Sequence, residues 1–410
     1  NKITMGDGSV KFVEQNLLNT DLTLNLSQNV SWTGGSLFLE TSAQRMDLFS
    51  EHKYSWQTSP VMIGYRQSLF GYNSLKWDKR IEPVRYQEAK KSYVETLELV
   101  SASAINKFFA LATAQSNYDI ASFNYANADT LYHYAQGRYN IGTITENEML
   151  QLELNCLTEE TNRMNARIEM DNCMQELRSY LGIQEDKEIR VRVSSRVPDF
   201  SINLNEALAL AYENSPDIQT MKRRKLESES AVARARANAG LKADIYLRFG
   251  LTQTADKLPE AYRNLLDQQY VSLSISLPIL DWGRGKGQVR VARSNRDLVY
   301  TQVEQSRTDF ELNVRKLVKQ FNLQTQRVRI AARTDETARR RNEVARKLYI
   351  LGKSTILDLN ASISEKDSAR RNYVSALYNY WSLYYTLRSM TLYDFERNRL
   401  LTEDYNLLVE

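Results

Sequence analysis

The sequence predicts a mainly α-helical chain with a minority of β-strands, built by duplication of one strand-and-long-helix unit. Three observations lead there: very few helix breakers, period-two alternation between the helical stretches, and a self-match at one constant offset of 210 residues. Each class of element follows from its own residues.

The helices come from the punctuation. The 410 residues include only 15 Gly and 6 Pro, too few turn-formers for an ordinary globular enzyme of this length. Segments 84–136, 143–181, 288–351 and 353–410 contain neither residue. The third would measure roughly 95 Å as one helix, and a helix that long needs a coiled-coil-like partner. Its apolar positions Phe310, Val314, Leu317, Phe321, Val328, Ala331, Ala338 and Ala345 fall mostly at heptad spacing among Arg, Lys, Glu and Gln, which predicts a thin apolar seam.

The strands come from alternation. Leu22, Leu24 and Leu26 alternate with small polar residues, and residues 270–277 read Y-V-S-L-S-I-S-L, aliphatic on one face and small and polar on the other. Such a strand suits a wall with lipid on one side and water on the other. It equally suits a half-buried sheet on a soluble core, and the alternation leaves both open.

The duplication joins these parts. An offset of 210 pairs Val61 with Val271, Lys76 with Lys286, Ala121 with Ala331, Ala128 with Ala338, Ala135 with Ala345, Tyr139 with Tyr349, Gly142 with Gly352, Thr145 with Thr355 and Leu177-Arg178-Ser179 with Leu387-Arg388-Ser389. The first copy is expected over 1–190, with strands about 10–75 and helices about 76–140 and 143–182, its opening helix lying upstream of Asn1. The second is expected over 191–400, with a helix about 203–243, strands about 244–282 and helices about 288–351 and 353–392, before a tail at 401–410. Residues 182–203 connect the copies.

Composition excludes several functions. The net charge is only +4, the hydrophobic share is 42% and the mean hydropathy is −0.52, so little of the chain is deeply buried. No apolar run approaches the roughly 18 residues of a membrane-spanning helix. His52 and His133 stand alone, and Cys156 and Cys173 lie 17 positions apart in one helical segment, so neither a metal site nor a mutual disulfide is expected. No nucleophile with a base and no phosphate loop is present, so neither an enzyme nor a cofactor is expected; Gly283-Arg284-Gly285-Lys286-Gly287 lacks the required spacing and reads as a strand-to-helix exit. The basic run Arg339-Arg340-Arg341 is interrupted by Glu336 and Glu343, which reads as an ion-paired helix surface rather than a nucleic-acid patch.

Each repeat supplies about two amphipathic strands, hence about four per chain, and an open edge is not tolerated in lipid. Closure therefore needs several copies: a dimer would give eight strands and a trimer twelve, and only the larger barrels leave a wide lumen.

These features resemble the TolC-like outer membrane factors of Gram-negative efflux and secretion systems. The resemblance rests on the duplication, on Gln67-Ser68-Leu69-Phe70-Gly71 and Leu277-Pro278-Ile279-Leu280-Asp281 leaving the strands, on Arg138-Tyr139-Asn140-Ile141-Gly142 at the helix reversal, and on Leu204-Asn205-Glu206-Ala207-Leu208-Ala209-Leu210-Ala211. It implies a homotrimer with a 12-stranded β-barrel in outer-membrane lipid and a long antiparallel coiled-coil helical barrel in the periplasm. The partners it implies are a periplasmic adaptor protein and an inner-membrane transporter. The implied function is a passive exit duct, against the alternative of an elongated coiled-coil scaffold or adhesin.

By the same resemblance, the adaptor-contacting tips are Arg138, Tyr139, Asn140, Ile141, Gly142 and Thr143 in the first copy and Tyr349, Gly352, Lys353 and Ser354 in the second. Glu148, Asp358 and Tyr349 are candidates for the pore constriction or gate, against a plain reading of the two carboxylates as solvent-facing. Ser354 stands where some members of the family have Arg. Trp32, Trp77 and Trp282 are candidates for an aromatic belt at a membrane surface.

Overall fold

The computed structural model describes residues 2–4, 10–12, 16–49, 52–184, 188–194, 197–277, 279–351 and 353–401. Gly352, Pro278 and nearly all of the expected tail therefore lie outside the described residues. In chain order the elements are β1 (Lys2–Thr4), β2 (Val10–Phe12), β3 (Leu17–Val30), β4 (Gly35–Leu48), β5 (Lys53–Ser68), α1 (Ser74–Asn140), α2 (Glu146–Leu181), α3 (Leu204–Asn214), α4 (Pro216–Ala239), β6 (Lys242–Ala255), β7 (Leu266–Ser276), α5 (Arg284–Ile350), α6 (Ile356–Thr391), β8 (Tyr393–Asp394) and β9 (Arg399–Leu400). Helices α1 and α5 are each 67 residues long and α2 and α6 each 36, and both pairs are displaced by the same 210 positions. Two compact units are distinguished, residues 1–86 with 220–305 and residues 87–219 with 306–410.

The first unit carries one sheet in the order β3-β4-β5-β6-β7, antiparallel throughout. It has five strands where alternation predicts about four. The extra one is β3, which pairs residue for residue with β4 over its whole length. Strands β4 and β5 stand at nearly the 210-residue offset from β6 and β7, whereas β3 has no counterpart in the second copy.

Residues opposite one another in an antiparallel ladder share a face. One row across the sheet is Leu26, Leu39, Ile63 and Phe249, and the next includes Leu37, Tyr65, Leu247 and Val271. This aliphatic face is turned outward: Leu22 is 78% exposed, Leu26 61%, Ile63 50% and Val271 67%. The opposite face holds the close packing. There Phe38 stacks on Tyr246 at 5.8 Å, Met62 is buried, and a Cβ on Gly64 would come within 2.1 Å of the Phe38 ring. A sheet on a soluble core shows the reverse distribution, apolar inward and polar outward.

Two side chains start the long helices where the strands leave the sheet. Asn73 accepts from the Lys76 amide at 3.0 Å at the start of α1. Asp281 accepts from the amides of Gly283 at 2.9 Å and Gly285 at 2.7 Å at the start of α5, which is the structural use of the glycine-rich segment there. Those amides hold the Asp281 carboxyl below the usual carboxylate range.

The second unit is helical, with the connector packed on it. Phe321 of α5 and Tyr380 and Tyr384 of α6 are fully buried and stack at 5.2–6.0 Å, with Phe200 of the connector against them. The buried hydroxyls are satisfied: Tyr380 donates to the Pro198 carbonyl at 2.8 Å and Tyr384 to Asp394 at 2.6 Å. The connector is tied down again where Asn322 exchanges two hydrogen bonds with the Ile202 backbone, at 2.8 and 2.9 Å.

The opening helix of the second copy, expected as one piece over about 203–243, is two helices. Pro216 has no amide to donate, so the ladder breaks at Ser215 and restarts with the proline at the first helical position. The α5 seam also differs from the expectation. Its buried line runs Val314, Phe321, Val328, Asp335 and Asn342 at a constant step of seven, whereas Ala331, Ala338 and Ala345 are only half-buried. In the first copy the heptad alanines Ala121, Ala128 and Ala135 are buried. Among the described residues, no helix is long and apolar enough to cross a membrane.

Candidate functional site at the helix reversals

Two reversals, α1 to α2 and α5 to α6, repeat one backbone design at the duplication offset. In the first, the Thr143 amide and hydroxyl both donate to the Arg138 carbonyl at 2.9 Å, and the Gly142 amide donates to Tyr139 at 2.9 Å. Gly142 has φ +74°, the left-handed conformation that closes a helix and favours glycine. In the second, the Lys353 amide donates to the Leu348 carbonyl at 2.9 Å, the same bond 210 positions on.

The apex of each reversal is open. Ile141 is 74% exposed and Leu351 67%, and these two aliphatics correspond at the offset of 210. Tyr139, Asn140 and Lys353 are exposed, while Arg138 is half-buried with its guanidinium 5.9 Å from the Tyr134 ring centre.

The two predicted carboxylates have a local task in common. Glu148 accepts from the Thr145 amide at 3.2 Å while the Thr145 hydroxyl accepts from the Glu148 amide at 3.3 Å, a complete capping box at the start of α2. Asp358 does the same with Thr355 at the start of α6, and also accepts from the Thr355 hydroxyl at 2.8 Å and the Ser354 hydroxyl at 3.3 Å. The Thr355 hydroxyl, then its amide, the Ser354 hydroxyl and the Arg341 charge hold the Asp358 carboxyl below the ordinary carboxylate value.

Tyr349 lies deeper. It lines a cavity of about 150 Å³ with Thr130, Tyr134, Asn342, Arg346 and Leu359. Burial pushes its phenol up, with the Arg138 charge opposing and Glu148 and Tyr134 adding to the rise. The structure therefore brings Tyr349 together with the end of α1 and the start of α6, whereas Glu148 and Asp358 each serve the helix they begin.

Above the reversals the helices are joined by polar contacts. Asn342 donates to the Ser362 hydroxyl at 3.0 Å, Asn124 of α1 donates to Asp367 of α6 at 2.6 Å, and Asp335 takes Arg339 at 2.7 Å and Arg370 at 3.4 Å. Arg340 meets Glu336 at 2.8 Å, four residues away as the spacing predicts, whereas Arg341 meets Glu365 of α6. Sequence reasoning missed Leu351, although its correspondence with Ile141 marked it. It also missed Asp335, Asn342, Ser362 and Asp367, whose burial depends on which helices pair. Among the described residues, no group of three or more His, Cys, Asp or Glu is placed to hold a metal ion.

Residues 207–391 match the family model described as outer membrane efflux protein. The fold as a whole is similar to the outer membrane channel CmeC of Campylobacter jejuni, with TM-score 0.67 and 14% identity over 96% of this chain and 80% of that one. It is also similar to the MtrE outer membrane channel of Neisseria gonorrhoeae in its open state, with TM-score 0.65 and 13% identity over 95% and 82%. A third likeness is to the outer membrane protein VceC of Vibrio cholerae, with TM-score 0.64 and 14% identity over 92% and 87%. No curated protein sequence gives a significant match.

Proposed function

We propose that this chain, whose residues 207–391 match the model described as outer membrane efflux protein, is a member of that family and the outer-membrane exit duct of a tripartite efflux or secretion system. The carrying observation is the sheet with its aliphatic face outward. An apolar face of that extent, free on a water-soluble monomer, is a liability; in lipid it is satisfied. Three copies would close their sheets into a barrel in the outer membrane, since a sheet with free edges leaves backbone groups unpaired in hydrocarbon. Trp32 and Trp282, 91% and 92% exposed, follow β3 and β7, which run in the same direction, so both sit past the same end of the sheet. That is the position of an interfacial aromatic belt.

The reversals serve as the periplasmic tips. Ile141 and Leu351 supply exposed aliphatic contacts for an adaptor protein, with Arg138, Tyr139, Asn140, Gly142, Thr143, Lys353 and Ser354 around them. Tyr349 and the capped acids Glu148 and Asp358 lie at the entrance, where three copies would place rings of carboxylate. Those rings favour cations over anions. Energy comes from an inner-membrane transporter, and the duct itself performs no chemistry. The scaffold or adhesin alternative leaves the outward aliphatic face unexplained.

The test is to purify the full-length protein from outer membranes in detergent and measure its mass and its conductance in planar bilayers. A stable trimer that passes current supports the duct. A water-soluble, non-conducting monomer sinks it.

A further inference from the structure

Two arginines stand on the packed face of the sheet, opposite the outward aliphatics. Between β5 and β6, Arg66 is paired with Tyr246 and Gly64 with Arg248; between β6 and β7, Arg248 is paired with Tyr270. Directly opposed residues share a face, as do residues two apart on one strand, so Arg66, Tyr246, Arg248 and Tyr270 form one patch. Arg66 and Arg248 are diagonal neighbours in it, with Cβ atoms about 7–8 Å apart. All four belong to the first unit.

Neither arginine is neutralised by the fold. The Arg66 guanidinium lies 5.4 Å from the centre of the Tyr246 ring, which is braced in turn by Phe38, stacked at 5.8 Å, and by Tyr270, edge-on at 5.8 Å. Arg248 donates from Nη2 to the Gln268 side chain at 3.2 Å, while its buried Nε has no hydrogen-bond partner. Among the described residues neither guanidinium makes an ion pair: on the same face Glu40 accepts from Asn25 at 3.4 Å, and Asp244 stands opposite Ser68 and Ser274. Two unpaired like charges on neighbouring strands repel each other. An anion seated between them offsets that repulsion and accepts from the terminal N–H groups that Gln268 leaves over.

Tyr270 adds the apolar half of a site. It is 52% exposed, so much of its ring is open beside the two cations. A flat ring laid on Tyr270 would carry an attached acidic group to guanidiniums whose fork matches the two oxygens of a carboxylate. Resting on the duct reading, in which this face lines the lumen, we propose that Arg66, Arg248 and Tyr270 form a binding site for aromatic organic anions on the wall of the duct. Three copies would present three such sites at one level, a ring of positive charge of the kind that favours anions.

The test is calorimetric binding of 2-naphthoate, and of its neutral analogue 2-naphthamide, to the full-length protein purified in detergent at low ionic strength. The expected result is one naphthoate per chain, bound about tenfold or more tightly than the amide, with that preference lost in Arg66→Gln and in Arg248→Gln. Arg248→Lys keeps the charge without the fork and should fall between the native protein and Arg248→Gln. Equal affinity of the native protein for acid and amide overturns the proposal without any variant, so a variant that fails to fold does not rescue it. An unchanged preference in either glutamine variant overturns it as well. In planar bilayers, naphthoate should reduce the current through the native protein and leave that through the doubly substituted one unaltered. A protein that passes no current fails the duct reading separately, and the calorimetry still decides whether the site exists.

Discussion

Helix α5 holds two stretches of one buried stripe that differ in chemistry. Val314, Phe321 and Val328 are buried, with Phe321 against the rings of Tyr380 and Tyr384, while Asp335 and Asn342, on the same seven-residue step toward the reversal, meet Arg370 and Ser362. Spacing keeps both against α6. The apolar stretch contributes stability by burial, whereas the polar stretch fixes which residues face each other and holds them by bonds that water can replace. The stretch held by apolar burial and the stretch held by polar contacts are thus separate segments of one seam, and on the duct reading proposed above the polar one, next to the reversal, is the part that would open.

Several substitutions would break or sharpen this contrast. Phe321→Ala removes a fully buried ring and should cost about 3–5 kcal/mol in chemical unfolding. A loss below about 1 kcal/mol would show that the aromatic cluster is not the stable half. Asp335→Ala deletes the acceptor shared by Arg339 and Arg370, both partly solvated, so a loss of about 1.5 kcal/mol is expected. Thr145→Ala and Thr355→Ala each remove a capping hydroxyl and should cost about 1 kcal/mol, read as earlier hydrogen exchange in the first turns of α2 and α6.

Asn342→Leu sharpens the comparison most finely. Ser362 keeps its bond to the Leu359 carbonyl at 2.7 Å, so stability should be unchanged or slightly raised. The account then predicts fewer opening events in single-channel recordings; an unchanged opening frequency would remove the functional meaning of the polar stretch.

The smallest effect is a pH dependence. The folded Asp358 carboxyl lies below its unfolded value, so its contribution is present above the ordinary carboxylate pKa near 3.9 and is lost as pH falls through the lower folded value. Comparing the acid unfolding of the native protein with that of Asp358→Asn checks the sign. The native chain should lose its advantage only on the acid side.

The long helices were legible because long stretches of them hold neither glycine nor proline, although α1 runs through Pro83 and Gly137 near its two ends. The equal lengths of α1 and α5, and of α2 and α6, follow the same offset as the residue identities. The strand count was less legible: Gly35–Leu48 alternates weakly, with Glu40 and Arg45 inside it, and β3 has no partner copy to reveal it. The break at Ser215 was written in Pro216 and was overlooked. Ala331, Ala338 and Ala345 were read as seam because only apolar residues were scored, while Asp335 and Asn342 hold the buried positions through pairing with α6. At the reversals, the threonine-to-acid spacing at Thr145 and Thr355 already spelled the capping boxes of Glu148 and Asp358. The cavity around Tyr349 was not legible, because it depends on α1 and α5 lying side by side.

The central claim is that the outward face of the sheet meets lipid. Nitroxide labels placed one at a time at Val271, Ser272, Leu273, Ser274 and Ile275 in membrane-reconstituted protein test it most directly. The account predicts alternation: oxygen accessibility high at Val271, Leu273 and Ile275, with water-soluble relaxation agents reaching Ser272 and Ser274. Uniform access of the water-soluble agent at all five positions would contradict it.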